Sequence, residues 1–360
     1  MTPMVSVTID TGALRHNLEV IRRLAPNSRV MAVIKANAYG HGLIAAARAL
    51  DAADALAVAR VDEGLALREA GIKTPIVLLE GVTDAEQLEA AAHADFELVV
   101  HSPEQIELLQ AAPPEVQFKI WLKLDSGMNR LGFKGEAFQS AHAALSKSSA
   151  LQAPVNLMTH LASADLPELP TTAEQLMVFT TATRSLAGER SVASSAAIMG
   201  FPDSQADWVR PGLMLYGISP FGGATGADHG LRPVMTLCSR VMAVKHLAEG
   251  EQVGYGGDWT ATRPTRLAIA SVGYGDGYPR SAASGTPALV NGERAGLAGR
   301  VSMDMLAIDV TEMQRAAKVG DPVVLWGDGL PVEEIALWAE TVPYTVVCGI
   351  SQRVAVTFRE

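Results

Sequence analysis

Between residues 29 and 209 the chain repeats one unit, a short apolar run followed by a segment rich in Ala, Leu and Glu. Strand-like runs fall at 29–35, 55–59, 75–79, 96–100, 117–124, 155–159, 190–193 and 207–209, with helix-like segments such as 62–70, 84–92 and 103–111 between them. Strands that alternate with helices pair in parallel, because a crossover helix returns the chain to the edge where the previous strand began. A count of about eight predicts closure into a (β/α)8 barrel. Ahead of this rhythm, residues 5–9 read as one more strand, and Asp10 or Thr11 can cap a helix carrying Leu14, Leu18 and Ile21 on one face.

The polar residues at the strand ends are the next constraint. Taken in turn they are Lys35, Arg60, Glu80, His101, Lys123 with Asp125, His160, Ser194 with Ser195, and Arg210. Any one of them alone is equally well a solvated strand end. Together they line the rim on which barrels of this kind build their sites. Lys35 is the most pointed case, since the apolar run 30–34 drives straight into it. A lone lysine is more often one that reaches solvent, but a buried ammonium loses its proton easily or finds a partner, and so becomes a nucleophile or proton carrier. Phosphate sites in such barrels form after the seventh and eighth strands, where Ser194-Ser195-Ala-Ala and Arg210-Pro-Gly212-Leu213 stand. An amine at one strand and a phosphate cradle at two others suit a phosphorylated aldehyde, which points to pyridoxal 5'-phosphate.

Past Pro220 the rhythm stops. Residues 221–230 form a glycine-rich connector, and strand-like runs follow at 234–246, 267–272, 287–290, 306–310 and 323–325, with one helix near 332–340. The expected division is a barrel over 1–230, whose first strand can pack with the second unit, and a mostly β unit over 231–360. The glycine clusters at 254–257 and 273–277 do not match phosphate-loop or dinucleotide spacings, and read as loops that present Tyr255 and Tyr274. A net charge of −10 without a basic run argues against nucleic acid or an anionic membrane as partners. Two cysteines far apart, Cys238 and Cys348, fit thiols of a reducing compartment rather than a disulfide framework or a metal site. With no run of about 18 apolar residues and no signal-peptide pattern, the expectation is a cytoplasmic protein without a metal.

Six motifs carry a resemblance across essentially the whole chain. They are Ala32-Val-Ile-Lys35-Ala-Asn-Ala-Tyr39-Gly-His-Gly42, Lys123-Leu-Asp-Ser-Gly-Met-Asn-Arg130-Leu-Gly132, Trp208-Val-Arg210-Pro-Gly212, Val253-Gly-Tyr255-Gly-Gly257, Gly273-Tyr274-Gly-Asp-Gly-Tyr-Pro279 and Gly299-Arg-Val-Ser-Met303-Asp304. In these the chain resembles the alanine racemases, two-domain pyridoxal-phosphate enzymes of fold type III. The resemblance implies interconversion of L- and D-alanine, with D-alanine supplied for peptidoglycan. Lys35 would hold the cofactor and act as base on one face of the substrate carbon, and Tyr255 of a partner subunit would act on the other. Arg210 would face the ring nitrogen, supported by His160. Tyr39, Ser195, Gly212 and Leu213 would hold the phosphate, and Arg130 with the Met303 backbone the substrate carboxylate. Lys123 matches a lysine carbamylated in many members, where it orients Arg130. Tyr274 and Asp304 would belong to a wall supplied by the partner, so a homodimer with shared sites is implied.

One departure stands out: Gln352 occupies the place of a tyrosine that in some members touches the phosphate, which implies looser exclusion of serine. Two other readings remain, a decarboxylase of the same fold type and a non-enzymatic single-barrel carrier of the cofactor. The loops bearing Tyr255, Tyr274 and Asp304 favour racemisation over both.

Overall fold

The computed structural model describes residues 3–360. Eight parallel strands, Arg29–Val33, Ala55–Val58, Ile76–Leu78, Phe96–Val100, Ile120–Lys123, Asn156–Met158, Arg190–Ser194 and Trp208–Arg210, form a closed barrel. Closure is direct, with Arg29 opposite Trp208 and Val30 opposite Val209. The barrel is filled rather than hollow: Met31, Leu56, Val77, Trp121 and Leu157 are all fully buried, and Trp121 meets Trp208 edge-on at 6.1 Å. These strands are buried on both faces, which is why they read as continuous apolar runs and not as alternating ones.

Most strands stop one or two residues before the apolar run does, and the difference matters most at Lys35. The first barrel strand ends at Val33. Lys35 then opens a left-handed turn in which Ala36, Asn37 and Ala38 have φ of 54° and Tyr39 has φ of 51°. Each L-residue held there costs about 1–2 kcal/mol, so the surroundings must impose the conformation. Three contacts help to do so. The buried His41 ring sets Nδ1 at 3.0 Å from the Ala38 carbonyl and 2.9 Å from that of Tyr39. The Asn37 side-chain oxygen accepts the Leu43 amide at 2.8 Å and so starts the helix Leu43–Ala49. Gly40, at φ 81°, lets the backbone approach the Val347 carbonyl where a Cβ would collide.

The second sheet has eight strands in the order Thr265–Ala270, Leu306–Asp309, Glu293–Leu297, Pro287–Val290, Pro322–Trp326, Met235–Leu247, Ser6–Asp10, Ala355–Arg359. The long strand Met235–Leu247 also pairs with Thr265–Ala270, with a register shift between Val241 and Ala243. Ser6–Asp10 therefore lies in this sheet and not in the barrel, antiparallel to Met235–Leu247 and parallel to Ala355–Arg359. Asp10 ends the strand and accepts the Ala13 amide at 2.8 Å, capping the helix Thr11–Leu24 that buries Leu14, Leu18 and Ile21.

The expectation of one helix beyond residue 230 is corrected: Val332–Trp338 is followed by a second helix, Pro343–Cys348. Six residues are too few for a helical period to register. The strands Glu293–Leu297 and Ala355–Arg359 were also not anticipated. The first has few apolar residues, and the second is a short, largely exposed edge strand.

Candidate active site

At the C-terminal rim of the barrel opens a cavity of about 1140 Å³. Lys35, Tyr39, Lys123, Arg130, His160, Ser195, Arg210, Gly212 and Leu213 all line it, which brings together the residues expected from five different strand ends. Arg60, His101 and Asp125 stay outside, and Glu80 takes part in the wall. Among the described residues no group of three or more His, Cys, Asp or Glu is arranged to hold a metal ion, and no helix is long and apolar enough to cross a membrane.

Arg210 is the fixed centre of the floor. Its guanidinium is buried and donates to Ser191 Oγ at 2.6 Å, to the Thr159 carbonyl at 2.6 Å and to the Val192 carbonyl at 3.3 Å, with His160 Nδ1 at 3.5 Å. Burial lowers its pKa to about 10, which leaves it charged near neutrality. His160 is held well below the usual imidazole range by burial first and the Arg210 charge second, so the ring is neutral. Its carbonyl accepts from the Gln175 side chain at 3.3 Å.

Two lysines face this floor. Burial and the Arg130 charge lower the Lys35 pKa, against Glu80 and Glu63, which raise it. Lys123 falls further, to about 7, through burial and then Arg210, Arg130 and Lys35, opposed by Asp125. A substantial fraction of its amine is therefore unprotonated and nucleophilic at neutral pH. Arg130 reaches the cavity from a loop tied by Asp125, whose carboxylate accepts the amides of Gly127 and Asn129 at 3.0 Å each. That Asx-type turn holds the loop in place beneath its one arginine.

Opposite the lysines lies an anion cradle. Ser195 Oγ accepts the amides of Gly212 at 2.9 Å and Met214 at 3.3 Å, which leaves its own proton to donate elsewhere. A Cβ at Gly212 would stand 2.8 Å from Tyr39 Oη, so only glycine admits the phenol here. Burial raises the Tyr39 pKa and keeps the phenol a donor.

Tyr255, Tyr274, Met303, Asp304 and Gln352 are not part of this cavity in the single chain. Tyr255 is 70% exposed and Met303 53%. The loops bearing Tyr274 and Met303-Asp304 are braced together: Arg353 pairs with Asp276 and Asp304 at 2.8 Å each, and the Met303 carbonyl accepts the Gly275 amide at 2.9 Å. The expected place of Gln352 beside the phosphate cradle is corrected, since that side chain is exposed and off the cavity wall. The ring beside Tyr39 is Tyr344, with centroids 5.6 Å apart, brought there by the helix Pro343–Cys348 packing on the left-handed turn. The looser selectivity drawn from a missing ring goes with that correction. Sequence reasoning also missed Tyr216, whose hydroxyl donates to the Val33 carbonyl at 3.0 Å and whose ring stacks on His41 at 4.5 Å. Its only signal was its position where the barrel rhythm ends.

A filled parallel barrel with an amine, two arginines and an anion cradle on its rim, followed by a mostly β unit, defines a two-domain class of barrel enzyme. Residues 9–220 match the family described as alanine racemase, N-terminal domain, and residues 234–358 the family described as alanine racemase, C-terminal domain. The chain belongs to the alanine racemase family of isomerases. It is 47% identical over 354 residues to a biosynthetic alanine racemase of Escherichia coli (strain K12), covering 98% of each chain, and 48% identical over 346 residues to an alanine racemase of Aeromonas hydrophila, covering 96% and 97%. In structure it superposes on the biosynthetic alanine racemase from Pseudomonas aeruginosa with a TM-score of 0.96, 42% identity and full coverage of both chains. An alanine racemase from Bartonella henselae with covalently bound pyridoxal phosphate superposes with a TM-score of 0.90 at 27% identity, covering 99% and 100%.

Proposed function

We propose that the protein interconverts L-alanine and D-alanine with pyridoxal 5'-phosphate, acting in the cytoplasm as a homodimer and supplying D-alanine for peptidoglycan. The observation that carries the reading is the single cavity in which a lysine with a lowered pKa faces an anion cradle across a buried, charged arginine. The residues present fit the cofactor: the hydroxyls of Ser195, oriented by the Gly212 amide, and Tyr39 with the amide of Leu213 for its phosphate, the amine of Lys35 for its aldehyde, and Arg210 for its ring nitrogen. When bound, that group supplies an electron-accepting ring that lets the α-hydrogen of an amino acid leave as a proton.

The chain's own residues do the rest. Lys35 Nζ, unprotonated more readily than an exposed lysine, takes the proton from one face and returns it to that face in the reverse direction. Racemisation needs a second acid on the opposite face, and Tyr255 Oη of a partner copy is assigned that role. Its exposure in the single chain, and that of Met303, supports delivery to another subunit. Arg130 holds the substrate carboxylate with its two-pronged guanidinium, helped by the Met303 backbone of the partner. Tyr274 and Asp304 complete the partner's wall. Arg210 keeps its proton near neutrality, so it faces the ring as a fixed charge and donates no proton to it. His160 braces it as a neutral ring. Lys123, with a pKa of about 7, is assigned as the site of a carbamate that anchors Arg130.

The division into a barrel over 1–230 and a mostly β unit over 231–360 that carries Tyr255 belongs to the same reading. Cys238 and Cys348 as free thiols are consistent with the cytoplasm.

Co-production of Lys35→Ala and Tyr255→Phe chains tests the shared site. Each alone is expected to be inactive for L-alanine. In a mixed dimer one of two sites has both groups, so about a quarter of the parental activity returns, half the dimers being mixed. No activity on mixing would place both groups within one chain and sink the shared-site reading.

A further inference from the structure

The carboxylate of Glu63 spans two strand ends. One oxygen accepts the Ala36 amide at 2.6 Å, the first residue of the left-handed turn after Lys35. The other accepts the Ala59 amide at 2.9 Å and the Arg60 amide at 3.4 Å. The contact to Arg60 joins the third residue of the helix Val61–Glu69 to its N-cap amide, the one half of a capping box that an N-cap arginine without an acceptor allows, and a local duty that glutamine performs as well as glutamate. The contact to Ala36 has no part in that box. It ties the end of one barrel strand to the loop of the next, at the point where four L-residues in succession hold positive φ.

That turn carries Lys35 at its start and Tyr39 at its end, so its pitch sets the separation between the amine and the anion cradle. Other tethers act further along, at Asn37 through Leu43 and at Ala38 and Tyr39 through His41. Beside the backbone bonds of Ile34 and Ala36, Glu63 is the side chain that holds the end next to Lys35. It also stands close enough to that amine to oppose, together with Glu80, the lowering by burial, Arg130 and Arg210.

We infer that Glu63 is a positioning residue for the reaction proposed above: by bridging the Ala36 and Ala59 amides it fixes the left-handed turn that aims Lys35 Nζ relative to Tyr39. The inference rests on that reading for its chemistry and on the geometry alone for the clamp. Glu63→Gln separates the two duties. An amide offers one accepting oxygen and one donating nitrogen, so it can keep the helix cap at Arg60 only by turning a donor toward the Ala36 amide.

The test compares the full-length parent, Glu63→Gln, Glu63→Ala and, as a control on the same helix, Glu69→Ala, an exposed position. Amide hydrogen exchange on peptides covering 35–43 is expected to quicken by about 10-fold in Glu63→Gln and more in Glu63→Ala, with Glu69→Ala like the parent. With alanine, kcat is expected to fall about 10-fold in Glu63→Gln and about 100-fold in Glu63→Ala, while KM stays within about 2-fold, since Arg130 still holds the carboxylate. Glu63→Gln should melt within a few degrees of the parent because the helix cap survives. A lowered melting temperature with unchanged exchange at 35–43 would make Glu63 a helix cap and nothing more, and overturn the inference. Quickened exchange with unchanged kcat would overturn it as well. Exchange is read whether or not alanine is turned over, so a failure of the proposed reaction and a failure of the clamp are separate results.

Discussion

Lys123 shows how one buried side chain links stability to chemistry. In the unfolded chain its amine keeps a proton up to the ordinary 10.5, whereas in the folded protein it gives it up at about 7. Below pH 7 both states are charged and the fold bears the full penalty of a buried cation. Between about 7 and 10.5 the unfolded state binds the extra proton, so stability rises with pH. Lys123→Met, which removes the charge and keeps most of the volume, is therefore expected to melt above the parent at pH 6, with the gain shrinking as pH climbs past 8; thermal melts in bicarbonate-free buffer check it. Gly212→Ala is expected to weaken pyridoxal 5'-phosphate binding by about 10-fold or more, because its Cβ would push on Tyr39 Oη and displace the cradle's phenol; a fluorescence titration of the cofactor reads it. Lys35, Arg210 and Ser195 were legible in the sequence because each ends a recognisable strand. Glu63 and Tyr216 were not, because their partners lie 27 and 183 residues away and no local pattern encodes such a pairing.

Among the elements, most barrel strands declared themselves since they are buried on both faces and read as short apolar runs. The short helix Pro343–Cys348 did not, yet it decides what stands against Tyr39. Its approach depends on Gly40, which has φ 81° and no Cβ to meet Val347. Gly40→Ala is expected to lift this helix from the turn and reduce cofactor affinity and activity together, with far-ultraviolet circular dichroism nearly unchanged; activity and spectrum both at parental values would remove the helix from the site's construction. The strand Ser6–Asp10 was legible as a strand but not by its partners, because alternation fixes a face and says nothing of which edge the strand joins. Ile9, fully buried within it, makes the measurement: Ile9→Ala is expected to cost about 2–5 kcal/mol in denaturant unfolding.

For the molecule as a whole, the exposed Tyr255, Met303 and Met305 lie on the second unit, away from the cavity that the barrel builds. If two copies share their sites, dilution should cost activity at the concentration where sedimentation shows the dimer coming apart, and added Tyr255→Phe chain should restore one site per mixed dimer, its own Lys35 facing the parental Tyr255. The second sheet carries a further consequence. Ser6 aligns with Cys238 on one side and with Ala355 on the other, so this strand leaves the ribosome without a neighbour until the whole barrel has been made, and gains its second neighbour later still. The barrel can assemble around its own short-range crossovers meanwhile, but this strand must wait as an open ribbon. Translation speed and chaperone supply, rather than the strength of the finished sheet, should then govern how much protein reaches the native state in a cell.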